Sequence, residues 1–310
     1  MDQQIIMRSG SPLEAEIRAK GLAPVRIPFL FNRDPYSRMR LKSAIRHHAP
    51  RAVLTWMSRA TISCPPGPYA LIARLGGYYD LKYYRHCDHL VANTEDIASY
   101  ILRQGWPRDK VTYLPNFATE SPVTAIDRQA LGVPQGAPLL VALGRLHRDK
   151  AFDILLRALA LVDGVWLWLA GDGPLERSLK ALAAELNIAH RVAFLGWRDD
   201  SQSLLAAADC LVCPSRVEPL GNVVLEAWAR ARPVVAAAAI GPFRLIADGK
   251  TGLTVPVEDP SALAEAIRLV VTDRPLAERL AASGHQDYQA RFSKDAVVRQ
   301  YLEFFDRVVG

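Results

Sequence analysis

Residues 138–150 read PLLVALGRLHRDK, and this stretch decides the fold. Pro138–Leu143 is a short apolar run of the kind a fully buried strand shows. Gly144 ends it, a charged turn follows, and Ala151–Ala160 then reads as a helix. The same order recurs downstream. Val165–Ala170 ends at Gly171-Asp172-Gly173, and Pro174–Leu186 follows as a helix with proline in its first turn. Val192–Leu195 ends at Gly196 and leads to a helix over Asp200–Ala207. Strands at Cys210–Cys213 and Pro233–Ala238 and helices at Asn222–Ala231 and Pro260–Thr272 continue the alternation. Strand and helix in turn predict an α/β fold with a parallel, doubly wound sheet, its ligand at the carboxyl ends of the strands.

Upstream the elements are shorter and less regular. Strands are expected at Gln4–Met7, Ala23–Pro28, Ala52–Trp56, Ala70–Arg74, His89–Asn93 and Val111–Leu114. Helices are expected at Pro12–Lys20, stopped by Gly21, at Tyr36–His48, and from Thr94, which Asn93 or Thr94 itself can cap. Ala118–Gly136, rich in Pro, Thr, Ala and Gly, is the expected linker. A chain of 310 residues is too long for one ordinary core. Two Rossmann-like domains facing a cleft are expected, residues 1–133 and 134–310.

Charge divides the two halves. Residues 1–133 hold 18 Lys and Arg against 11 Asp and Glu, whereas residues 134–310 hold 20 against 21. The first 60 residues are the most basic, with 11 cations and 4 acids. A solvated surface accounts for this, and so does a face for an anionic partner. The cations are scattered among prolines and apolar residues without a nucleic-acid-binding signature, which favours a membrane surface or lipid-linked substrate. No apolar run reaches the roughly 18 residues a spanning helix needs, and no secretory h-region follows the first residues. The expected location is cytoplasmic, at or near a membrane face.

Two clusters carry candidate chemistry. In the first, Gly144 lets the chain turn while Arg145 and Lys150 sit at a strand's carboxyl end, where two cations can neutralise a diphosphate. An ordinary charged surface turn is the other reading. His147-Arg148-Asp149 has the order of a kinase catalytic loop, but Ile154 stands where that loop needs Asn. The second cluster runs from Glu218 through Pro219, Leu220, Gly221, Asn222 and Val223 to Glu226. Gly221 and Asn222 mark a helix start, whose free N–H groups can hold phosphate or sugar oxygens. Glu226, in the first turns, can accept from a ribose diol. A helix N-terminus also favours acids without any ligand, which explains Glu226 but not the whole cluster.

Together these clusters resemble the two-domain, GT-B type of retaining glycosyltransferase, the glycosyl transferases group 1. The resemblance covers residues 135–310. It includes Gly171-Asp172-Gly173-Pro174, Phe194-Leu195-Gly196-Trp197, Pro214-Ser215, Glu218 with Glu226, Arg232-Pro233-Val234-Val235 and Asp248-Gly249-Lys250-Thr251-Gly252-Leu253. It implies a nucleotide diphosphate sugar as donor, held by Arg145 and Lys150 on the diphosphate and Glu226 on the ribose. It places Glu218 on the sugar hydroxyls, the backbone of Leu220–Val223 on phosphate and sugar, and Gly196, Trp197 and Arg198 near the base. Glu218, Arg145 and Lys150 are the expected catalytic residues, with hexose transfer to a glycan or glycolipid. Tyr78–Leu90 and Leu114-Pro115-Asn116-Phe117 resemble lipopolysaccharide and cell-envelope members. The last helix, Lys294–Val309, is expected to return to the first domain.

The chain departs from the family pattern in its first half. The resemblance implies an initial strand, glycine-rich turn and helix, and the first domain here reads as lacking that unit. It also implies a histidine near the reacting carbon. Ala73–Asp80 has none, with Arg74 and Asp80 as substitutes, while His86 and His89 sit by a strand start. No Asp-x-Asp occurs, so Arg145 and Lys150 are expected to replace a metal. Cys210 and Cys213 have no second ligand pair at zinc spacing and read as core residues. Gly171 and Gly173 are followed by Glu176 where a dinucleotide fingerprint needs its third glycine. A non-catalytic nucleotide-sugar-binding protein or partner subunit, and a nucleotide-sugar epimerase, are the alternatives.

Overall fold

The structure, a computed structural model, describes residues 2–31, 34–120 and 122–310. Ser121, inside the expected linker, lies outside them. The chain forms two compact units, residues 1–114 with 300–310, and residues 115–299. Residues 115–133, expected with the first domain, therefore fold with the second unit. Arg128 shows why: it makes a bidentate pair with Asp209 at 2.7 and 3.0 Å, while Ile126 and Leu131 join that unit's core.

In the first unit come β1 (Ile6–Arg8), α1 (Leu13–Ala19), β2 (Val25–Ile27), α2 (Pro35–His48), β3 (Ala52–Trp56) and α3 (Met57–Ser63). β4 (Ala70–Leu75), β5 (His89–Ala92), α4 (Glu95–Arg103) and β6 (Val111–Tyr113) follow. The strands are parallel but fall into two sheets, β1-β2 and β3-β4-β5-β6. One face of the larger sheet turns Leu71, Ala73, Leu75 and Leu90 toward Leu41 and Ile45 of α2 and Ile97 and Ile101 of α4. The other face, with Ile72 and Val91, packs on Leu114 and Phe304.

The second unit runs β7 (Leu139–Leu143), α5 (Phe152–Ala160), β8 (Trp166–Ala170), α6 (Glu176–Glu185), β9 (Val192–Gly196) and α7 (Ser201–Ala207). It continues with β10 (Cys210–Cys213), α8 (Asn222–Ala229), β11 (Val234–Ala237), α9 (Ile240–Leu245), β12 (Leu253–Val255), α10 (Pro260–Thr272) and α11 (Arg274–Arg291). α12 (Lys294–Val309) begins here, and from Gln300 onward it belongs to the first unit. The strand order is β12-β11-β10-β7-β8-β9, all parallel. Alternate residues serve opposite cores. Leu140, Leu167 and Cys210 pack with α5 and α10, whereas Val141, Trp168, Leu211 and Cys213 pack with α7 and α8. Helices thus cover both faces, as a sheet of continuous apolar strands requires. β7 and β10 are neighbours although the chain visits β8 and β9 between them, and the order reverses at that pair.

Candidate active site

At such a reversal the loops leaving two adjacent strands diverge and open a crevice at their carboxyl ends. The loop after β7 supplies Gly144–Lys150 and the loop after β10 supplies Pro214–Gly221. The first loop is locked from below by backbone alone. Leu146 N–H donates to Asp172 O at 2.7 Å, Gly144 N–H to Ala170 O at 3.0 Å, and Gly171 N–H to Gly196 O at 2.7 Å. The turns after β7, β8 and β9 are thereby knitted together. This explains Gly171-Asp172-Gly173: a Cβ on Gly171 would run into the Gly144 carbonyl, and one on Gly173 would lie 2.5 Å from Leu146 O.

The second loop is held as closely. Gly241, at the start of α9, donates its N–H to Glu218 O at 2.7 Å, and a Cβ there would meet that oxygen at 2.5 Å. Gly221 takes φ 69°, a left-handed conformation that suits glycine, and opens α8 with no side-chain cap. The first N–H groups of α8 thus remain available to a ligand.

Side chains from the two loops meet. The Lys150 stem crosses Gly144, its Cε 3.4 Å from where a Cβ would be. The Lys150 ammonium forms an ion pair with Glu218 Oε2, whose other oxygen accepts from Gly221 N–H at 3.2 Å. Glu218 is 7% exposed, so a buried carboxylate is satisfied on both oxygens. Arg145, in the same loop as Lys150, is exposed, and its side chain carries no ion pair or hydrogen bond among the described residues. Asn222 at the head of α8 is exposed, and its Oδ1 accepts from Asn116 Nδ2 at 2.7 Å. Leu220 and Val223 are half-buried on either side of Gly221.

Glu226 lies one turn further along α8, half-buried, where Ser201 Oγ donates to it at 3.4 Å. Burial pushes its carboxyl above the usual range, and the Ser201 bond offsets part of that. Gly196 ends β9, and Trp197 beyond it is 70% exposed. Arg198 is committed to Asp200 by two bonds of 2.7 and 2.6 Å. The structure therefore joins Gly144, Lys150, Glu218 and Gly221 directly. It sets Arg145 and Leu220 in the same two loops and Asn222 and Val223 at the head of α8, and keeps Glu226 with Ser201. Sequence reading missed Asn116, Ser201 and Gly241. The last was legible as glycine-proline after a strand; the others show themselves only in three dimensions.

In the first unit, Arg74 is buried at the end of β4. It stacks on Trp56 with its carbon 4.4 Å from the ring centroid and donates to Tyr301 Oη at 2.9 Å. Asp80 is exposed and pairs with Lys82 at 2.7 Å. His86 contacts Thr61 O at 3.2 Å, and His89 sits edge-on to Phe304. Cys210 and Cys213 are buried on opposite faces of β10, and burial pushes the Cys210 thiol up to about 12. Among the described residues no three His, Cys, Asp or Glu side chains cluster as metal ligands, and no helix is long and apolar enough to cross a membrane.

A doubly wound sheet with two glycine-shaped loops, a lysine–glutamate pair and an uncapped helix at its reversal point forms a crevice with the chemistry to hold a phosphorylated ligand. Residues 123–287 match the model of the glycosyl transferases group 1, and the chain belongs to that family of glycosyltransferases. It is 39% identical to the lipopolysaccharide core biosynthesis glycosyltransferase LpsE of Rhizobium meliloti strain 1021, over 86% of this chain and 78% of that protein. It is 37% identical to LpsD of the same strain, similarly described, over 91% and 83%. Its fold matches Anabaena Alr3699/HepE in complex with UDP-glucose, with a TM-score of 0.81 at 20% identity, over 97% of this chain and 91% of that one.

Proposed function

We propose that this glycosyltransferase moves a hexose from a UDP-sugar to a lipid-linked intermediate of the lipopolysaccharide core, with retention at the anomeric carbon. The observation that carries this reading is the Lys150–Glu218 pair beside the uncapped start of α8. The two lipopolysaccharide core relatives support the pathway, and the UDP-glucose complex of the structural neighbour supports the donor.

The chemistry follows from the donors present. An ammonium has three N–H groups; one serves Glu218 and two remain for diphosphate oxygens. Arg145 adds a second cation, and the first N–H groups of α8 add partial positive charge. As the C1–O bond breaks, the sugar gains oxocarbenium character and negative charge grows on the diphosphate. Cations already in place stabilise that charge without reorganising, each by roughly 2–4 kcal/mol. Glu218 faces the sugar hydroxyls, Glu226 the ribose diol, and Trp197 the base. The departing phosphate oxygen takes the acceptor hydroxyl's proton as the new glycosidic bond forms. The two cations do the electrostatic work of a divalent metal, and transfer proceeds in EDTA.

The first domain binds the acceptor, and the protein works at the cytoplasmic face of a membrane. The division of the first unit's strands into β1-β2 and β3-β4-β5-β6 favours a second reading, a nucleotide-sugar-binding partner without turnover. Incubation of the chain with UDP-hexoses and core-truncated lipopolysaccharide, with and without EDTA, tests the proposal. Release of UDP with an α-linked product from an α-linked donor is expected. UDP binding with neither transfer nor donor hydrolysis establishes the second reading, and activity abolished by EDTA overturns the metal-free mechanism.

A further inference from the structure

Cations on several other helices of this molecule have acidic partners close by. Arg18 pairs with Glu14, Lys20 with Glu16, Lys180 with Glu176, Arg274 with Glu278 and Arg291 with Asp287, each within one helical turn. α2 breaks this habit. Its sequence, PYSRMRLKSAIRHH, holds Arg38, Arg40, Lys42 and Arg46 and no acid. The one acid beside it, Asp34, is buried and spent on capping. It accepts from Tyr36 N–H at 3.1 Å and from Ser37 Oγ at 2.5 Å. Arg38, Lys42 and Arg46 are exposed and have no ion pair among the described residues.

The arrangement of these cations is one-sided. α2 buries Ser37, Leu41 and Ile45. At 100° per residue the opposite side is centred on Met39 and Arg46, with Arg38 and Lys42 on one flank and Tyr36 and Arg40 on the other. Met39, at this apex, is 62% exposed. Two more apolar residues stand at the same end. Leu30 is 68% exposed and Phe31 58% exposed. They are held there because Leu30 N–H donates to Asp34 Oδ2 at 3.3 Å and Phe29 N–H to Ser37 Oγ at 2.9 Å. Hydrogen bonds thus tie Phe29 and Leu30 to the helix start, with the Leu30 and Phe31 side chains exposed.

We propose that the outward face of α2, with Leu30 and Phe31, docks on an anionic phospholipid bilayer. Apolar tips ringed by unneutralised cations fit the boundary between acyl chains and headgroups. Leu30, Phe31 and Met39 enter the boundary while the long stems of Arg38, Lys42 and Arg46 reach up to phosphate. Charge complementarity selects this partner: a neutral bilayer gives the cations nothing, and a bare polyanion gives the apolar tips nothing. The inference deepens the lipid-linked acceptor reading, since the surface brings the enzyme to such an acceptor, but it stands on α2 and fails independently of transfer.

The test is flotation of the full chain with vesicles of phosphatidylcholine alone and of phosphatidylcholine with about 30% phosphatidylglycerol, at low and at high salt. Binding only to the anionic vesicles, weakened by salt, is expected. Each surface cation contributes about fivefold, so the triple variant Arg38→Ser, Lys42→Ser, Arg46→Ser should bind roughly a hundredfold more weakly. Leu30→Ser with Phe31→Ser should also release the protein, though its charge is unchanged. UDP affinity and melting temperature, which these exposed residues do not touch, should stay as in the unaltered chain. Equal binding to neutral vesicles, or full binding by the triple variant, overturns the proposal. So does tighter retention on heparin than on vesicles that survives Leu30→Ser with Phe31→Ser, which would assign the face to a polyanion. Loss of vesicle binding with transfer to a solubilised acceptor intact supports the surface as docking only. Vesicle binding without transfer upholds the surface and sinks the acceptor reading.

Discussion

The two units solve the same problem, a parallel sheet that must be covered on both faces, in different ways. In the second unit helices drawn almost wholly from its own stretch of chain do both jobs, α5 and α10 on one side and α7 and α8 on the other, with α11 contributing to both. In the first unit local helices cover one face, and the other receives Phe304 from the far end of the chain, with Tyr301, Phe305 and Val308 around it. The second unit's site rests on backbone turns that glycine alone can fit. The first unit's strand ends carry bulky side chains such as Trp56 and Arg74. A nucleotide diphosphate is common to many donors, so the half proposed to hold it can be rigid and motif-rich. The half proposed to meet the acceptor has no such fixed template.

The largest effect that separates the units should come from Phe304. Phe304→Ala removes a buried aromatic from the cluster with Ile72, Val91 and Leu114, at a cost of about 3–5 kcal/mol. The first unit should melt earlier in calorimetry while UDP still binds the second by titration. Loss of UDP binding at a temperature where the second unit remains folded would break the comparison. The next effect should be Lys150→Ala, which removes a cation where charge grows. A fall in kcat of about 10²-fold or more is expected, with a much smaller rise in donor KM. Because Lys150 and Glu218 touch, the double variant with Glu218→Ala should cost less than the two single losses added. Additive losses would mean that the pair does not act as a unit.

Why the site was more legible than its wiring is clear from these residues. Apolar runs closed by glycine mark β7, β8 and β9, and the loops after them are where chemistry must lie. The pairing of Lys150 with Glu218 depends on β7 and β10 being neighbours, which no local pattern states; read separately, the two residues fell on different parts of the donor. Short or polar elements escaped for their own reasons. α3 follows β3 without a break, starts at Met57 with φ 68°, and is rich in Ser and Thr. α9 contains Gly241 and Pro242, and β12 has only three residues. α11 contains Gly284, a poor helix residue, because a Cβ there would lie 2.5 Å from the Trp228 ring. In the first unit no strand pattern tells that β1-β2 and β3-β4-β5-β6 are separate sheets.

Glu226 gives an effect of intermediate size with a definite pH dependence. Glu226→Ala should weaken UDP binding by roughly 1–3 kcal/mol through loss of a charged acceptor. Burial raises its pKa, so the carboxylate is lost, and with it the proposed ribose bond, as pH falls through that raised value. UDP affinity should decline as pH falls through that raised value, and Glu226→Gln should flatten the profile. Stability moves the other way. The folded state binds the extra proton between the ordinary and the raised pKa, so this residue's contribution to stability falls as pH rises through that window. A flat affinity profile in the unaltered chain would detach Glu226 from the ribose.

The smallest effect concerns Trp197, and it tests whether the donor site extends to the end of β9. Trp197 is 70% exposed, so its replacement leaves no cavity and should not move the melting temperature. An indole so placed gives a nucleobase a flat apolar face, worth about 0.5–1.5 kcal/mol beyond area burial. Its neighbour Arg198 is tied to Asp200 on two atoms and is not set to compete for the base. Trp197→Ala should therefore weaken UDP severalfold, Trp197→Phe should restore most of the loss, and binding of inorganic pyrophosphate, which has no base, should not change. Equal weakening of UDP and pyrophosphate would show that Trp197 shapes the Gly144–Lys150 loop instead. Unchanged UDP affinity in Trp197→Ala would end the donor site at Gly196.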